Sequence, residues 1–161
     1  MTVRLIALRS LVVLASAVVV FFLSMARTDR DVVLAQTHKP VVMTRLYTGT
    51  DGLTHAEEVE VKLTGDPQNQ ISEMYKVTGA EVHKAAAGRV NDWHVAPRRQ
   101  LVITLSGHGE IEVSGGKKIS VGPGNMELAE DLTGKGHITK VVGNEDRVTI
   151  QLPLADQTPR R

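Results

Sequence analysis

Residues Gly88 to Gly107 read GRVNDWHVAPRRQLVITLSG, and this stretch decides the fold. It sets the single tryptophan, Trp93, beside His94, continues through Ala96-Pro97 and Arg98-Arg99, and enters Gln100-Leu-Val-Ile-Thr-Leu105 before closing on Ser106-Gly107. An apolar, β-branched run bounded by Pro and Gly predicts a buried strand rather than a helix. A polar ring cluster therefore abuts the best core strand of the chain.

Downstream, the same grammar repeats. Ile111 and Val113 alternate with Glu110, Glu112 and Ser114, which predicts a half-buried strand in a hairpin with Leu101 to Leu105. Gly115-Gly116 turns the chain into Lys117 to Val121, and Gly122-Pro-Gly-Asn125 turns it into Met126 to Glu130. A loop, Asp131 to Gly136, delivers His137 at the start of His137 to Val142, and Gly143 to Asp146 precedes a last strand, Arg147 to Leu154. Residues Ala155 to Arg161 form a polar C-terminal tail expected to fray.

Upstream, Val41 to Tyr47 and Glu57 to Leu63 carry strand patterning, the latter with Val59, Val61 and Leu63 alternating against charged residues. Gly65 to Asn69 is a turn cluster, followed by expected strands Ile71 to Val77 and Ala80 to Ala86. Many short strands with Gly and Pro between them imply an all-β sandwich or small barrel over residues 41 to 154.

The N-terminus is of another kind. Arg4 and Arg9 precede an apolar run, Leu11 to Leu23, and Ser24-Met25-Ala26 offers small residues for cleavage, so residues 1 to 26 read as a secretory signal peptide. The alternative is an uncleaved membrane anchor, slightly short for the roughly 20 apolar residues of a bilayer span. Residues 27 to 40 lack a period and read as a flexible linker. The domain is thus expected to be exported, periplasmic or secreted, touching a membrane only through its N-terminal segment.

Composition removes several function classes. Of 161 residues, 19 are basic and 18 acidic, interspersed, which gives no electrostatic footprint for nucleic acid. Without cysteine there is no disulfide, thiol nucleophile or thiolate metal site, leaving His, carboxylate and amide oxygen as metal ligands. Ser106 lacks a G-x-S-x-G elbow, and Gly134-Lys135-Gly136 lacks the phosphate-loop pattern, so neither carries a site.

The spacing resembles the cupin superfamily. The first cupin motif has a Gly, five residues, His-x-His, three or four residues, Glu, six residues and Gly; here stand Gly88, His94, Ala96, Gln100 and Gly107 at those intervals. The second motif has looser counterparts in Gly122 to Asn125, Met126 to Glu130, His137 and Asn144. The resemblance covers about Val77 to Leu154 and implies a double-stranded β-helix, the jelly-roll barrel. It further implies one divalent metal ion, Fe, Mn, Ni or Zn, held by His94, Gln100 and His137, with Trp93, Arg98 and Glu130 at the substrate pocket. Ala96 and Gln100 replace the usual second His and Glu, leaving a neutral ligand set that Glu130 or Asp131 would have to supplement, Glu130 being the better placed.

Three function classes stay open. One is an exported domain binding a small molecule in the barrel, with or without the metal. The second is a metal-dependent cupin enzyme of oxygenase, isomerase or lyase type on a small organic substrate. The third is a non-catalytic structural or interaction domain. The two departures from the motif favour the first over a standard enzyme, and the residues name no catalytic group. Apolar residues on both faces of Leu101 to Leu105 suggest burial on both sides and a homodimer contact.

Overall fold

Successive side chains of a strand point to opposite faces, so short alternating segments can wall a two-sheet sandwich. The computed structural model, which describes residues 39–159, has twelve strands, ten of which form the two sheets. They are β1 (Val42–Thr48), β2 (Thr54–Glu60), β3 (Leu63–Asp66), β4 (Asn69–Ser72), β5 (Glu81–Ala85) and β6 (Val90–His94). The remainder are β7 (Gln100–Ser106), β8 (His108–Glu112), β9 (Lys118–Val121), β10 (Met126–Glu130), β11 (His137–Val142) and β12 (Arg147–Pro153). The signal peptide or anchor, and the linker up to residue 38, lie outside the described residues. No helix among the described residues is long and apolar enough to cross a membrane.

The larger sheet has the order β2-β1-β10-β7-β12-β5 and the smaller β6-β11-β8-β9, while β3 and β4 form a separate hairpin. From β5 onward the chain winds between the sheets, larger to smaller and back, through β6, β7, β8–β9, β10, β11 and β12. This alternation is the jelly-roll winding. Both edges of β7 are taken, by β10 and by β12.

That occupancy corrects the expected hairpin between β7 and β8. With no edge left on β7, β8 pairs with β11 and β9 instead, and Gly107 carries the chain across at φ +70°. Two other expectations shift. The strand expected over Glu57 to Leu63 ends at Glu60, and Leu63 opens the β3–β4 hairpin. Ile71 to Val77 is strand only to Ser72, because β3 has no further residues to pair with; Met74 is 90% exposed.

Two apolar clusters flank the larger sheet. Leu46, Ile111, Val113 and Val121 fill one end of the space between the sheets, with Ala56 and Ile119 against them. Met43 lies an odd number of residues from Leu46 on β1, hence on the outer face, and there it packs with Val61, Leu101, Leu128 and Leu154. Each fully buried aliphatic side chain contributes on the order of 2 kcal/mol. The two faces of β7 follow from this division: Leu101 joins the outer cluster, and Gln100 and Val102 turn inward.

The tail departs from expectation in one respect. The Gln157 side chain accepts from the Arg99 amide at 2.7 Å and donates to the Arg99 and Leu154 carbonyls at 3.0 and 2.6 Å. These bonds fasten residues past β12 to the entrance of β7.

Candidate functional site

The end of the sandwich that the apolar cluster does not fill is a cavity of about 630 Å³. It is walled by inward residues of both sheets: Gln100 and Val102 on β7, Glu127 and Ala129 on β10, Arg147, Thr149 and Gln151 on β12, and His137, Thr139 and Val141 on β11. His94, Ala96 and Pro97 stand next to them, and His83, Lys84, Arg89 and Asn91 also line the cavity.

His94 ends β6 and His137 begins β11, and the antiparallel register sets them directly opposite each other. Their ring centroids are 4.3 Å apart at an interplanar angle of 54°. Gly136 makes this approach possible. At φ +76° it rests against the His94 carbonyl, where any Cβ would overlap the backbone oxygen. A further backbone bond, Ala96 N–H to the Asp131 carbonyl at 3.0 Å, ties the loop after β6 to the loop after β10.

Both rings are oriented through Nδ1. His94 Nδ1–H donates to the Asp92 carbonyl at 2.8 Å; a carbonyl only accepts, so the neutral ring carries its lone pair on Nε2. His137 Nδ1 lies 2.6 Å from Asp131 Oδ2, inside a buried pair. Asp131 Oδ1 is buried with no partner among the described residues, and Thr54 Oγ1 stands 3.5 Å from Oδ2. Burial lowers the His94 pKa from its ordinary 6.5, with the nearby His137 adding to the fall and the Asp92 carbonyl opposing it. The pair therefore presents one neutral imidazole beside a carboxylate-backed one, a combination able to accept and return a proton or to hold a polar ligand.

The opposite wall holds a second polar cluster. Arg147 Nη2 donates to Glu127 Oε1 at 2.7 Å and to Thr104 Oγ1 at 2.8 Å, across the three adjacent strands β12, β7 and β10. Burial pushes the Glu127 carboxyl up, and the Arg147 charge works against that shift. These residues carried no motif. Their signal is the parity of β10, where an apolar outer residue, Leu128, forces Glu127 inward.

Of the residues expected from the sequence, His94, Gln100 and His137 line the cavity; Trp93, Arg98 and Glu130 do not. Glu130 is corrected by the same parity. It points to the outer face, 1% exposed, with Oε1 2.5 Å from Arg99 Nε and Oε2 2.6 Å from Arg45 Nε. Asp131, one residue later, is the carboxylate that reaches His137. Trp93 is half-buried outside the cavity with the Lys135 ammonium 3.7 Å from its ring centroid. Arg98 reaches the wall only indirectly, donating to Gln100 Oε1 at 3.0 Å and pairing with Glu81. Asn144 sits in the exposed turn between β11 and β12.

As a metal centre the donor set is incomplete. Two imidazoles with Nδ1 fixed by an acceptor suit ligation through Nε2. The Gln100 oxygen already accepts from Arg98, and no three His, Asp or Glu side chains among the described residues gather to hold an ion. A catalytic zinc typically draws three ligands from protein.

No family model matches the chain, and no curated protein matches it. Among solved structures it is similar to an RmlC-like cupin protein from Desulfovibrio desulfuricans, with 14% identity over 70% of this chain and 81% of that one at a TM-score of 0.35. It is similar to the Schizosaccharomyces pombe Cnp3 cupin domain, with 14% identity over 72% and 89% at a TM-score of 0.39. The epimerase RmlC from Legionella pneumophila, solved with dTDP-4-keto-L-rhamnose, shares 14% identity over 73% of each chain at a TM-score of 0.32. By its own strand order the chain folds as a jelly roll, and the spacing of Gly88, His94, Gln100 and Gly107 resembles the first cupin motif.

Proposed function

We propose that the protein is a binding domain that holds a small polar organic molecule inside the barrel, against the His94–His137 pair. The observation that carries this reading is the cavity itself. Its volume, about 630 Å³, is in the range of small-molecule sites, and polar side chains from both sheets, His94 and His137 from one and Gln100, Glu127 and Arg147 from the other, converge in it. A ligand-observed NMR screen of a defined mixture of small metabolites tests it. Binding should be seen with the wild-type chain and weaken in His94→Ala; a wild-type protein that binds no member overturns the reading.

A second reading has a divalent ion on the two imidazoles, and the Nδ1 contacts of both rings favour it. The bound molecule would then complete the ion's coordination, and the enzyme class would reopen. Metal analysis of protein purified without chelator separates the two: stoichiometric metal lost in His137→Ala supports the ion, and metal-free protein that still binds its ligand removes it.

Export belongs to the same proposal and rests on Arg4, Arg9 and the apolar run that follows them. Cell fractionation with N-terminal sequencing should find the mature chain starting at Arg27. Leu101 is covered within the chain itself by Met43, Val61, Leu128 and Leu154, so self-association would fall to the exposed Leu105 end of β7; gel filtration checks it, and a monomer refutes it.

A further inference from the structure

We propose that the molecule held in the cavity is a small organic acid and that Arg147 recognises its carboxylate, an assignment that deepens the small-molecule reading and rests on it. Arg147 opens β12, is 6% exposed, and lines the cavity. Both of its hydrogen bonds, to Thr104 and Glu127, leave from the same nitrogen, Nη2. Nε is buried with no partner among the described residues. A guanidinium offers five N–H donors in a planar fork that matches a carboxylate, and a buried donor without an acceptor is a standing cost. Nε itself is shut off from the cavity, so a ligand's acceptor oxygen would pair with Nη1, which makes no hydrogen bond to the described residues.

Room and orientation are built in. A Cβ on Gly109 would come within 3.2 Å of Arg147 Cδ and of the Lys140 carbonyl, so glycine leaves the space this side chain occupies. Thr104 and Glu127 hold the guanidinium from the neighbouring strands. The charge around the cavity favours an anion as well: among the described lining residues Glu127 is the one carboxylate, against Arg89, Arg147 and a Lys84 already engaged by Asp146 at 3.0 Å. Asp131 is masked behind His137. The lone pair on His94 Nε2 accepts a hydroxyl hydrogen, which points to acids that also carry a hydroxyl group.

Calorimetric titration of the full chain with lactate, glycerate and malate, and with lactamide and glycerol as neutral counterparts, tests the assignment. The acids should bind at least about tenfold more tightly than their counterparts. The double variant Arg147→Gln, Glu127→Gln removes both charges together and leaves no buried charge unpaired. It should lose about tenfold or more for the acids and none of the weak binding of the neutral molecules. Should it fail to fold, as judged by circular dichroism, Arg147→Lys keeps a cation for Glu127 without the planar fork and should show the same selective loss. Equal binding of acids and counterparts, or acid binding unchanged in the variants, overturns the carboxylate assignment and leaves the cavity reading intact. If neither series binds, the assignment is overturned and the small-molecule reading is decided by the metabolite screen alone.

Discussion

Replacing Glu130 with Ala should destabilise the domain by about 3 kcal/mol and leave the cavity unaffected. Glu130 is 1% exposed and accepts from two arginines, Arg99 Nε at 2.5 Å and Arg45 Nε at 2.6 Å. Removing one partner of a buried ion pair typically costs about 3–5 kcal/mol, because the remaining charge stays buried without its counterion. The lower end applies here. Arg45 keeps Glu57 at 2.8 Å, and Arg99 keeps the Asp156 carbonyl at 2.9 Å with that residue's carboxylate 3.7 Å away. Glu57 and Asp156 are largely solvent-exposed and screened, so they offset part of the loss only. At roughly 4 °C per kcal/mol for a domain of this size, melting should fall by about 12 °C. Urea denaturation followed by circular dichroism gives the free energy directly, and the metabolite screen on the same variant reads the cavity. A loss under about 1 kcal/mol would refute the reasoning on the buried triad. Weakened ligand binding in a folded variant would refute the placement of Glu130 outside the site.

Three further outcomes are expected. NMR titration should give His94 a pKa below 6.5 and an Nδ1-protonated neutral ring at pH 7; since the folded chain then binds fewer protons than the unfolded one, stability rises with pH through that window and is lost on acidification below about pH 6.5. His94→Gln should flatten this dependence, and measuring it in a Glu127→Gln background removes the oppositely signed contribution of a carboxyl whose pKa burial raises. Gly136→Ala combines a positive φ with overlap on the His94 carbonyl and should cost more than about 2 kcal/mol while moving the His94 and His137 ring signals; Gly124→Ala, at φ +85° with open space around it, should cost only about 1 kcal/mol of backbone strain. Asp131→Asn exchanges a charged acceptor for His137 Nδ1–H for a neutral one and adds an NH2 group beside a position that already lacks a partner, which should cost about 1.5–3 kcal/mol by urea denaturation.

What the sequence determined by itself is local. Alternation and glycine punctuation mark β10 and β11 to the residue, and the resemblance in spacing from Gly88 to Gly107 points to His94 and Gln100 as residues of one cavity. These signals survive because a strand's period and a turn's φ are properties of a few consecutive residues. His137 was legible for the same reason, standing at the head of a strand behind a glycine.

Only the tertiary structure decided which strands meet, and with that the polar partners of the site. β8 has the pattern of a hairpin arm, yet the occupied edges of β7 send it to the other sheet. The choice between Glu130 and Asp131 turned on which face of β10 the core claims, and Leu128 in the outer cluster settled it. Glu127, Thr104 and Arg147 lie on three strands brought side by side by the order β10-β7-β12. Lateral strand order depends on contacts across the whole domain, and no window of consecutive residues contains it.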